Sequence, residues 1–138
     1  MIGIGVDLVD ARRIQRSIKR FSARFLDRIF LGVEQEYVNQ RLGVQNNKTP
    51  ALFAKQQALH YAKMYAAKEA VLKALGTGLA QGLHWHHIEV KREATGRPYV
   101  VLHGAAQELL DRLSPLTRRI ELSLSDEWPY AQAFIVII

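Results

Sequence analysis

Residues 62 to 78 read Ala-Lys-Met-Tyr-Ala-Ala-Lys-Glu-Ala-Val-Leu-Lys-Ala-Leu-Gly-Thr-Gly, and they carry more structural information than any other part of the chain. The residues up to Leu75 favour a helix, and the glycines that follow are typical of the turn that ends one. Upstream, Thr49 and Pro50 are suited to the N-cap and the first helical position. Apolar residues occur nearly all round, so the sequence predicts a long buried helix that ends at Leu75.

Glu69 places a carboxylate within an apolar stripe of this helix, beside Ala62, Tyr65 and Leu72 at about 100° per residue. A buried carboxylate needs a cation, because leaving it unpaired costs several kcal/mol or neutralises it. Two interpretations stay open at this point. Glu69 pairs with Lys73 one turn away, a common contact that contributes about 0.3–0.5 kcal/mol. Alternatively, Glu69 binds a metal ion and Lys73 binds an anion, an arrangement suited to phosphate chemistry.

Length and composition predict one domain over residues 1–138, with about half of the residues apolar and therefore not disordered. The chain has no cysteine, which excludes a disulfide framework and a thiolate metal site. Any metal must therefore be bound by oxygen or histidine ligands. No signal peptide is evident, and the apolar end, residues 133–138, is too short to span a bilayer. We expect a cytoplasmic protein that does not associate with membranes.

The formal charge is +6, from 19 basic and 13 acidic residues, and it predicts an acidic partner. Nucleic acid, an anionic membrane surface, a phosphorylated ligand and an acidic protein all satisfy that requirement. Much of the positive charge lies in one short segment between Arg12 and Arg28. This segment is either a solvated helix face or an electropositive docking surface.

Residues 2 to 9 alternate as a half-buried strand, with Asp7 on the side that also carries Gly3 and Gly5. Glycine within a strand often marks the close approach of another backbone or of a ligand. Asp7 therefore either lies at a site or simply ends the strand and caps the helix that follows, a role also open to Asp10.

Several of these motifs together resemble a known family. The run Ala67-Lys68-Glu69-Ala70, followed by Lys73-Ala74 and Gly76-Thr77-Gly78, is similar to the signature of the holo-acyl-carrier-protein synthases, the short members of the 4′-phosphopantetheinyl transferase superfamily. Gly3-Ile4-Gly5-Val6-Asp7 resembles their opening strand. The family transfers phosphopantetheine from coenzyme A to a serine of acyl carrier protein, using Mg²⁺. The resemblance implies an α+β fold of the 4′-phosphopantetheinyl transferase type, with a mainly antiparallel sheet packed against a long buried helix.

The resemblance also assigns roles near the diphosphate of coenzyme A. It implies that Asp7 and Glu69 bind Mg²⁺, and that Glu69 and Lys73 are catalytic. A metal-bound water, Glu69 or another acid could accept the proton of the serine, and the sequence does not choose among them. Contacts with the coenzyme are implied for lysines, for the glycine turn and for a turn matching the family's Gly-Lys-Pro: Lys68, Lys73, Gly76, Gly78, Arg97 and Pro98.

The segment Arg24-Phe25-Leu26-Asp27-Arg28-Ile29 resembles the family's Arg-Phe-x-x-Arg-Ile motif, whose arginines contact the acidic helix of acyl carrier protein. By that resemblance the carrier-binding residues are Arg13, Arg20, Arg24 and Arg28.

Family members are homotrimers with sites between subunits. The final strand is apolar on both faces, as expected of a central strand or a subunit interface.

Two positions depart from the family pattern. Met64 stands where relatives usually carry an arginine, so that a phosphate contact is missing unless Lys63 replaces it. Asp126 stands where many relatives carry a histidine, and no histidine role is transferred.

Elsewhere, the three histidines His84, His86 and His87 suggest a zinc site. Two histidines on one strand face do not make a zinc site, so we favour surface histidines that lead into a strand.

The rest of the chain predicts a helix from Asp10 to about Lys19, a helix from Glu34 to Arg41, a loop over 42–50, and a hairpin whose strands are 88–92 and 99–102. A further helix, 104–113, and a strand, 119–125, precede the last strand.

Two other functions remain open: a small basic nucleic-acid-binding module and an inactive structural homologue. No recognition motif for nucleic acid is evident. The expected partners are therefore acyl carrier protein and coenzyme A, with neither nucleic acid nor membrane.

Overall fold

The computed structural model describes residues 3–43, 48–116 and 119–138. Residue 2 of the predicted first strand and residues 44–47 of the predicted loop lie outside these ranges. In chain order the elements are β1 (Gly3–Asp10), α1 (Ala11–Phe21), α2 (Ala23–Ile29), α3 (Gly32–Gly43), α4 (Pro50–Leu75), a 3₁₀ helix (Trp85–His87), β2 (Ile88–Arg92), β3 (Pro98–Leu102), α5 (Gly104–Leu113), β4 (Ile120–Glu127) and β5 (Tyr130–Ile137). The predicted α+β class is confirmed.

Helix α4 begins and ends where the sequence predicts. The Thr49 hydroxyl accepts a hydrogen bond from the Leu52 N–H at 3.1 Å, and Pro50 occupies the first turn, where its missing N–H costs nothing. At the other end Gly76 adopts φ +83° and its N–H bonds to the carbonyls of Leu72 and Lys73. That left-handed conformation is the reason for a glycine at this position. From Tyr61 onward most side chains of α4 are buried.

The main sheet is antiparallel with strand order β1-β5-β4, so β5 is the central strand, as its apolar composition predicts. Strands β2 and β3 form a separate antiparallel hairpin. In the main sheet Asp7 lies opposite Ala133. Helix α4 packs across the inner face of this sheet, where the side chains of β5 are small or aliphatic: Ala131, Ala133, Ile135 and Ile137.

Strand β1 meets α4 backbone to backbone. A Cβ atom on Gly3 would lie 2.2 Å from the carbonyl oxygen of Ala74, and one on Gly5 would lie 1.9 Å from that of Ala70. Two residues of strand advance about 6.6 Å and four residues of helix about 6 Å. Every second residue of β1 therefore lies opposite every fourth residue of α4. Asp7, the next residue on the same side of β1, is therefore level with the turn of α4 that precedes Ala70. The glycines set the position of Asp7 against the helix.

The other side of β1 faces outward and is apolar. Ile4, Val6 and Leu8 are 52%, 46% and 62% exposed, and Phe134 on the neighbouring strand is 42% exposed. Val6 lies directly opposite Phe134. The main sheet thus has one face covered by α4 and one open face, which is apolar along β1 and at Phe134 but polar along β4, where Ser123 and Ser125 are exposed. No helix within the described ranges is long and apolar enough to cross a membrane.

Candidate active site

Asp7 and Lys73, separated by most of the first half of the chain, form an ion pair. Lys73 Nζ donates to Asp7 Oδ1 at 2.9 Å and to the backbone carbonyl of Val6 at 2.9 Å. The side chain of Asp7 is 14% exposed, whereas that of Lys73 is 53% exposed. Lys73 therefore pairs with Asp7 across the β1–α4 contact rather than with Glu69 within its own helix. Its ammonium lies at the surface, where an anion can reach it.

Glu69 joins the same cluster through Tyr65. The Tyr65 hydroxyl donates a hydrogen bond to the Glu69 carboxylate. Burial raises the pKa of Tyr65 to about 12, and the charges of Glu69 and, more weakly, Asp7 add to the rise, while Arg13 opposes it. Asp7, Glu69 and Arg13 are therefore all within electrostatic range of the same phenol. The convergence of Asp7 and Glu69 on one ion stays a prediction, and their shared influence on Tyr65 is compatible with it.

The donor set at this point suits magnesium. Within the described part of the chain no group of three or more His, Asp or Glu side chains is arranged to hold a metal ion. Magnesium does not need such a group, because it usually takes one or two protein carboxylates and completes its shell with water and substrate phosphate oxygens. Asp7 and Glu69 are hard oxygen donors at the edge of the core, and Lys73 beside them offers a countercharge for phosphate. These residues fit the ion that the resemblance implies.

The glycine turn after α4 lies next to this cluster along the helix. Gly76 follows Lys73 by less than one turn, and Gly76 and Gly78 have φ of +83° and +57°. L-residues rarely adopt such backbone angles, and a Cβ atom at either position would meet no atom of the described residues within 4 Å. A phosphate could approach the backbone here without meeting a Cβ atom.

Arg97 and Pro98 lie at the β2–β3 hairpin, and the contacts of Arg97 run away from the Asp7 cluster. Arg97 Nη2 donates to Glu121 Oε2 on β4 at 2.7 Å, and Arg119 pairs with the same carboxylate. The Arg97 side chain is otherwise exposed. Within one chain the structure therefore does not bring these two residues to Asp7 and Glu69.

Lys68 is placed differently from its prediction as a coenzyme contact. Its side chain is fully buried, and Nζ donates to Glu34 Oε1 at 2.8 Å and to the carbonyls of Ile88 and Trp85 at 2.6 and 3.2 Å. Burial lowers the pKa of this ammonium, and the adjacent Glu34 carboxylate opposes that shift. An ammonium with all three donors engaged inside the core cannot reach a ligand. The prediction of a coenzyme contact by Lys68 is wrong.

The carrier-binding arginines predicted from the sequence are all exposed on α1 and α2: Arg13, Arg20, Arg24 and Arg28. Ser22, with φ +48°, separates the two helices. Arg24 and Arg28 line a surface pocket of about 300 Å³ together with Phe21 and Phe25. Positive charge around an apolar depression is a suitable surface for an acidic amphipathic helix.

Arg12, in the same segment, already forms an ion pair with Asp10 of its own chain. Its guanidinium binds Asp10 Oδ2 at 2.7 Å, and this contact lowers the pKa of the Asp10 carboxyl to about 2. Asp10 also caps α1 by accepting from the Arg12 N–H. The capping role that the sequence left open between Asp7 and Asp10 therefore belongs to Asp10, and Asp7 is left for the site.

The three histidines serve local structure. His84 Nδ1 accepts from the His86 N–H at 3.2 Å, and His87 Nδ1 accepts from the His84 N–H at 3.1 Å. His86 Nε2 contacts the carbonyl of Asp27 at 2.8 Å. Lone pairs that accept backbone N–H groups are not free to bind zinc, so the non-metal interpretation of these histidines is supported. The residues form a 3₁₀ helix rather than the start of a strand.

The departures at Met64 and Asp126 lie near a basic cavity of about 310 Å³, whose charged lining is Arg41, Lys48, Lys63 and Asp126. Lys63 pairs with Asp126 at 3.0 Å. Met64 is buried and does not face this cavity. His60 also lines it, and burial together with the cations Lys63, Arg41, Arg92 and Lys48 lowers the pKa of His60 to about 4.

Comparison with known proteins agrees with this geometry. The family model described as ACPS, the 4′-phosphopantetheinyl transferase superfamily, matches residues 3–133. The chain belongs to the 4′-phosphopantetheinyl transferase superfamily. A holo-[acyl-carrier-protein] synthase of Rhodopseudomonas palustris strain HaA2 is 48% identical over 99% of this transferase and 92% of its own length.

Solved structures of relatives share the fold of this transferase. The holo-[acyl-carrier-protein] synthase of Neisseria meningitidis is 31% identical with a TM-score of 0.72, covering 100% of this chain and 98% of that one. An acyl carrier protein synthase of Plasmodium yoelii, solved with ADP bound, is 31% identical with a TM-score of 0.77, covering 99% and 94%. The expected phosphopantetheinyl transferase fold is confirmed.

Two residues that shape the site of this transferase were not predicted. Tyr65 lies one helical turn before Glu69, and that spacing could have indicated its hydrogen bond. Glu34 gives almost no signal beyond its place near the start of a helix, since its partners Lys68 and Val90 are distant in sequence. Pairings between distant segments do not follow from local pattern.

Proposed function

We propose that this protein is a holo-acyl-carrier-protein synthase, which transfers the 4′-phosphopantetheine arm of coenzyme A to a serine of apo acyl carrier protein and releases 3′,5′-ADP. The observations that support this proposal are the partly exposed Asp7–Lys73 ion pair and the shared influence of Asp7 and Glu69 on Tyr65. Two carboxylates and an ammonium are the groups that a diphosphate with its magnesium ion requires. The relatives named above support the same assignment.

In this proposal Asp7 and Glu69 hold Mg²⁺, which when bound withdraws charge from the diphosphate. Tyr65 orients the Glu69 carboxylate through its hydrogen bond. Lys73 stabilises the negative charge that grows on the phosphate oxygens and on the leaving group. Gly76 and Gly78 let the backbone approach the coenzyme. The serine oxygen of the carrier forms a bond to the β-phosphorus while the bond to the bridging oxygen of 3′,5′-ADP breaks.

The carrier reaches this point by docking on α1 and α2. Arg13 is close enough to Tyr65 to influence its pKa, so the basic face of α1 borders the Asp7–Glu69 cluster. In this proposal, a carrier bound to Arg20, Arg24 and Arg28 on α1 and α2 brings its serine to the reacting groups. Apposition of the two substrates supplies much of the rate enhancement expected of a group transfer.

We also propose that residues 1–138 act as one transferase domain that assembles as a homotrimer with sites between subunits. The open apolar face of the main sheet supports self-association, since contiguous exposed apolar surface is uncommon on monomers. Assembly also gives Arg97 and Pro98 a role. These residues do not reach Asp7 and Glu69 of their own chain, but in a trimer they can contact the coenzyme bound to a neighbouring subunit.

Replacing Glu69 or Asp7 tests the proposed function. Incubation of the parent protein with coenzyme A, Mg²⁺ and apo acyl carrier protein should add the mass of one phosphopantetheine arm to the carrier. Glu69→Ala and Asp7→Ala should lower the transfer rate at least about a hundredfold, because the charge of the diphosphate is no longer neutralised. Glu108→Gln, at an exposed position of α5, is the control and should retain the parent rate. Full transfer by Glu69→Ala would show that the metal assignment is wrong.

Charge reversal tests the docking surface separately. Arg24→Glu and Arg28→Glu should slow association with the carrier about tenfold at low salt, with a smaller difference at high salt, since steering between opposite charges is screened. Surface-bound carrier protein and stopped-flow association rates measure this. Arg112→Glu, an exposed arginine on α5, is the matched control. Equal association rates for all variants would place the docking surface elsewhere.

A further inference from the structure

Lys68 and Glu34 form an ion pair that is sealed inside the core. Both side chains are 0% exposed, and Nζ of Lys68 lies 2.8 Å from Glu34 Oε1. The other two N–H groups of Lys68 are taken up by the carbonyls of Ile88 and Trp85. Lys68 thereby fixes one side of α4 to the 3₁₀ helix and to the start of β2. The bonds are directional, unlike the aliphatic contacts around them.

Glu34 extends this connection to two further backbone groups. Its Oε1 accepts from the Leu31 N–H at 2.8 Å, which closes the start of α3, and its Oε2 accepts from the Val90 N–H on β2 at 2.9 Å. The carboxylate is therefore held by α3, β2 and α4 together. Among the described residues no buried side-chain nitrogen or oxygen lacks a hydrogen-bond partner. The network is complete and leaves no freedom for its members to turn.

The core face of α4 combines alanines with a few larger side chains, among them Tyr61, Val71 and Leu72. Its fully buried positions include five alanines with 0% exposure: Ala58, Ala62, Ala66, Ala67 and Ala70. Helices pack by fitting ridges of side chains into grooves, and alanine ridges are shallow. The apolar contacts of α4 are non-directional, whereas the polar bonds of Lys68 add a directional restraint on the rotation of the helix about its axis. On the β1 side, Gly3 and Gly5 bring the backbones of strand and helix close together.

We propose that the Lys68–Glu34 pair is a positioning device that fixes the rotation of α4 and so aims the adjacent Glu69 carboxylate at Asp7. This inference rests on the proposed function, because the orientation of the Glu69 carboxylate matters only if Glu69 binds the metal ion. Lys68 and Glu69 are neighbours whose side chains leave the helix about 100° apart, so fixing one direction fixes the other. Lys68 is a positioning residue and makes no contact with substrate.

The sensitivity of Glu69 to rotation follows from helix geometry. A side-chain tip lies about 5–6 Å from the axis of a helix, so a rotation of roughly 20° moves it by about 2 Å. Displacement of a reacting group by about 1 Å can cost about a hundredfold in rate. Because Glu69 is expected to share a metal ion with Asp7 on another element, small rotations should weaken metal binding as well as turnover.

The test replaces the pair with neutral groups of similar shape. Lys68→Met together with Glu34→Gln removes both charges, so neither partner is left as a buried unpaired ion. Leu110→Ala is the control, since it opens a cavity at a buried position of α5 and lowers stability without touching α4 rotation. Three quantities are measured for each full-length protein: the thermal midpoint, kcat and KM for transfer, and the dissociation constant of Mn²⁺ in the presence of coenzyme A.

We expect the double variant to fold and to lose at least about tenfold in kcat per folded molecule, while KM for coenzyme A changes by less than about threefold. The Mn²⁺ dissociation constant should rise at least about fivefold, since one of two carboxylates is misaimed. The Leu110→Ala control should show a lower thermal midpoint with parent kcat and parent Mn²⁺ binding. A loss of kcat and of Mn²⁺ affinity in the double variant, but not in the destabilised control, distinguishes a positioning role from a contribution to stability alone.

The proposal is overturned if the double variant keeps the kcat and Mn²⁺ affinity of the parent per folded molecule. If the double variant does not fold, Glu34→Gln alone is judged by the same two quantities, and failure of both to fold at 20 °C assigns the pair to stability only. A parent protein that adds no phosphopantetheine arm contradicts the proposed function instead. The two failures are therefore separable.

Discussion

Two lysines five positions apart on α4, Lys68 and Lys73, have opposite surroundings. Lys68 is enclosed by Glu34 and two carbonyls, and removal of one partner of such a buried pair typically costs about 3–5 kcal/mol. Lys73 is half exposed and pairs with Asp7 at the surface of the core. Sequence spacing places both on the same helix but does not say which one reaches the interior. That difference separates a structural lysine from one that meets a phosphate.

His60 makes the stability of the fold depend on pH. Burial holds its pKa near 4 in the folded chain, below the value of about 6.5 in the unfolded chain. The unfolded state therefore binds more protons in this range, so the free energy of unfolding should fall as pH drops from about 6.5 to 4. After allowance for screening at a partly exposed site, His60 should account for roughly 1–2 kcal/mol of that loss.

Urea unfolding at several pH values checks this contribution. His60→Gln should lose less stability than the parent between pH 6.5 and 4, because the variant has no group to protonate there. Gln56→Asn, a neutral change in the same cavity, should keep the parent dependence. Identical pH dependence in His60→Gln and in the parent would contradict the assignment.

At the scale of elements, the close contact between β1 and α4 has no room for a side chain. Gly5→Ala would place a Cβ atom 1.9 Å from the Ala70 carbonyl oxygen, and backbone on both sides cannot yield as a flexible side chain does. Overpacking a core usually costs about 1–3 kcal/mol, and we expect Gly5→Ala to exceed that range. The strand must move away from the helix, so the variant should also lose phosphopantetheine transfer through displacement of Asp7.

Gly32→Ala is the matched substitution for this test. Gly32 begins α3, and a Cβ atom there meets nothing within 4 Å, so its stability should stay within about 1 kcal/mol of the parent. Denaturant unfolding and the transfer assay are compared for both variants. A Gly5→Ala protein as stable and as active as Gly32→Ala would rule out the proposed packing role of the strand glycines.

The ends of α4 were well predicted because their signals are local, whereas α2 was not predicted as a helix. Thr49, Pro50 and Gly76 mark α4 through capping and backbone angle, which neighbouring residues alone decide. Convergence of Asp7 with Glu69 was expected through family resemblance and through the glycines of β1. The enclosure of Lys68 was missed, because it depends on Glu34 and on carbonyls from other segments. Contacts between distant segments need the fold before they can be seen.

At the scale of the whole molecule, the two faces of the main sheet differ in what covers them. Alternation in β1 predicts two faces, but which face lies inside depends on α4, since only glycines allow the helix backbone so close. The longer apolar side chains of β1 therefore point outward, beside Phe134. An apolar sheet face of this kind is stabilised when another protein surface covers it, and a second copy of the chain is the partner that the proposed trimer supplies.

Val6 lies in the middle of β1, directly opposite Phe134, which makes it the position to test. Val6→Lys should convert the proposed trimer to monomer, because a buried ammonium without a partner opposes association by several kcal/mol. Leu113→Lys, an equally exposed apolar residue at 46% on α5, should leave assembly unchanged. Sedimentation velocity over a range of concentrations gives the oligomeric state, and the transfer assay gives activity. If the sites lie between subunits, Val6→Lys should lose activity together with assembly, whereas a fully active monomer would show that one chain holds a complete site without the partner's hairpin.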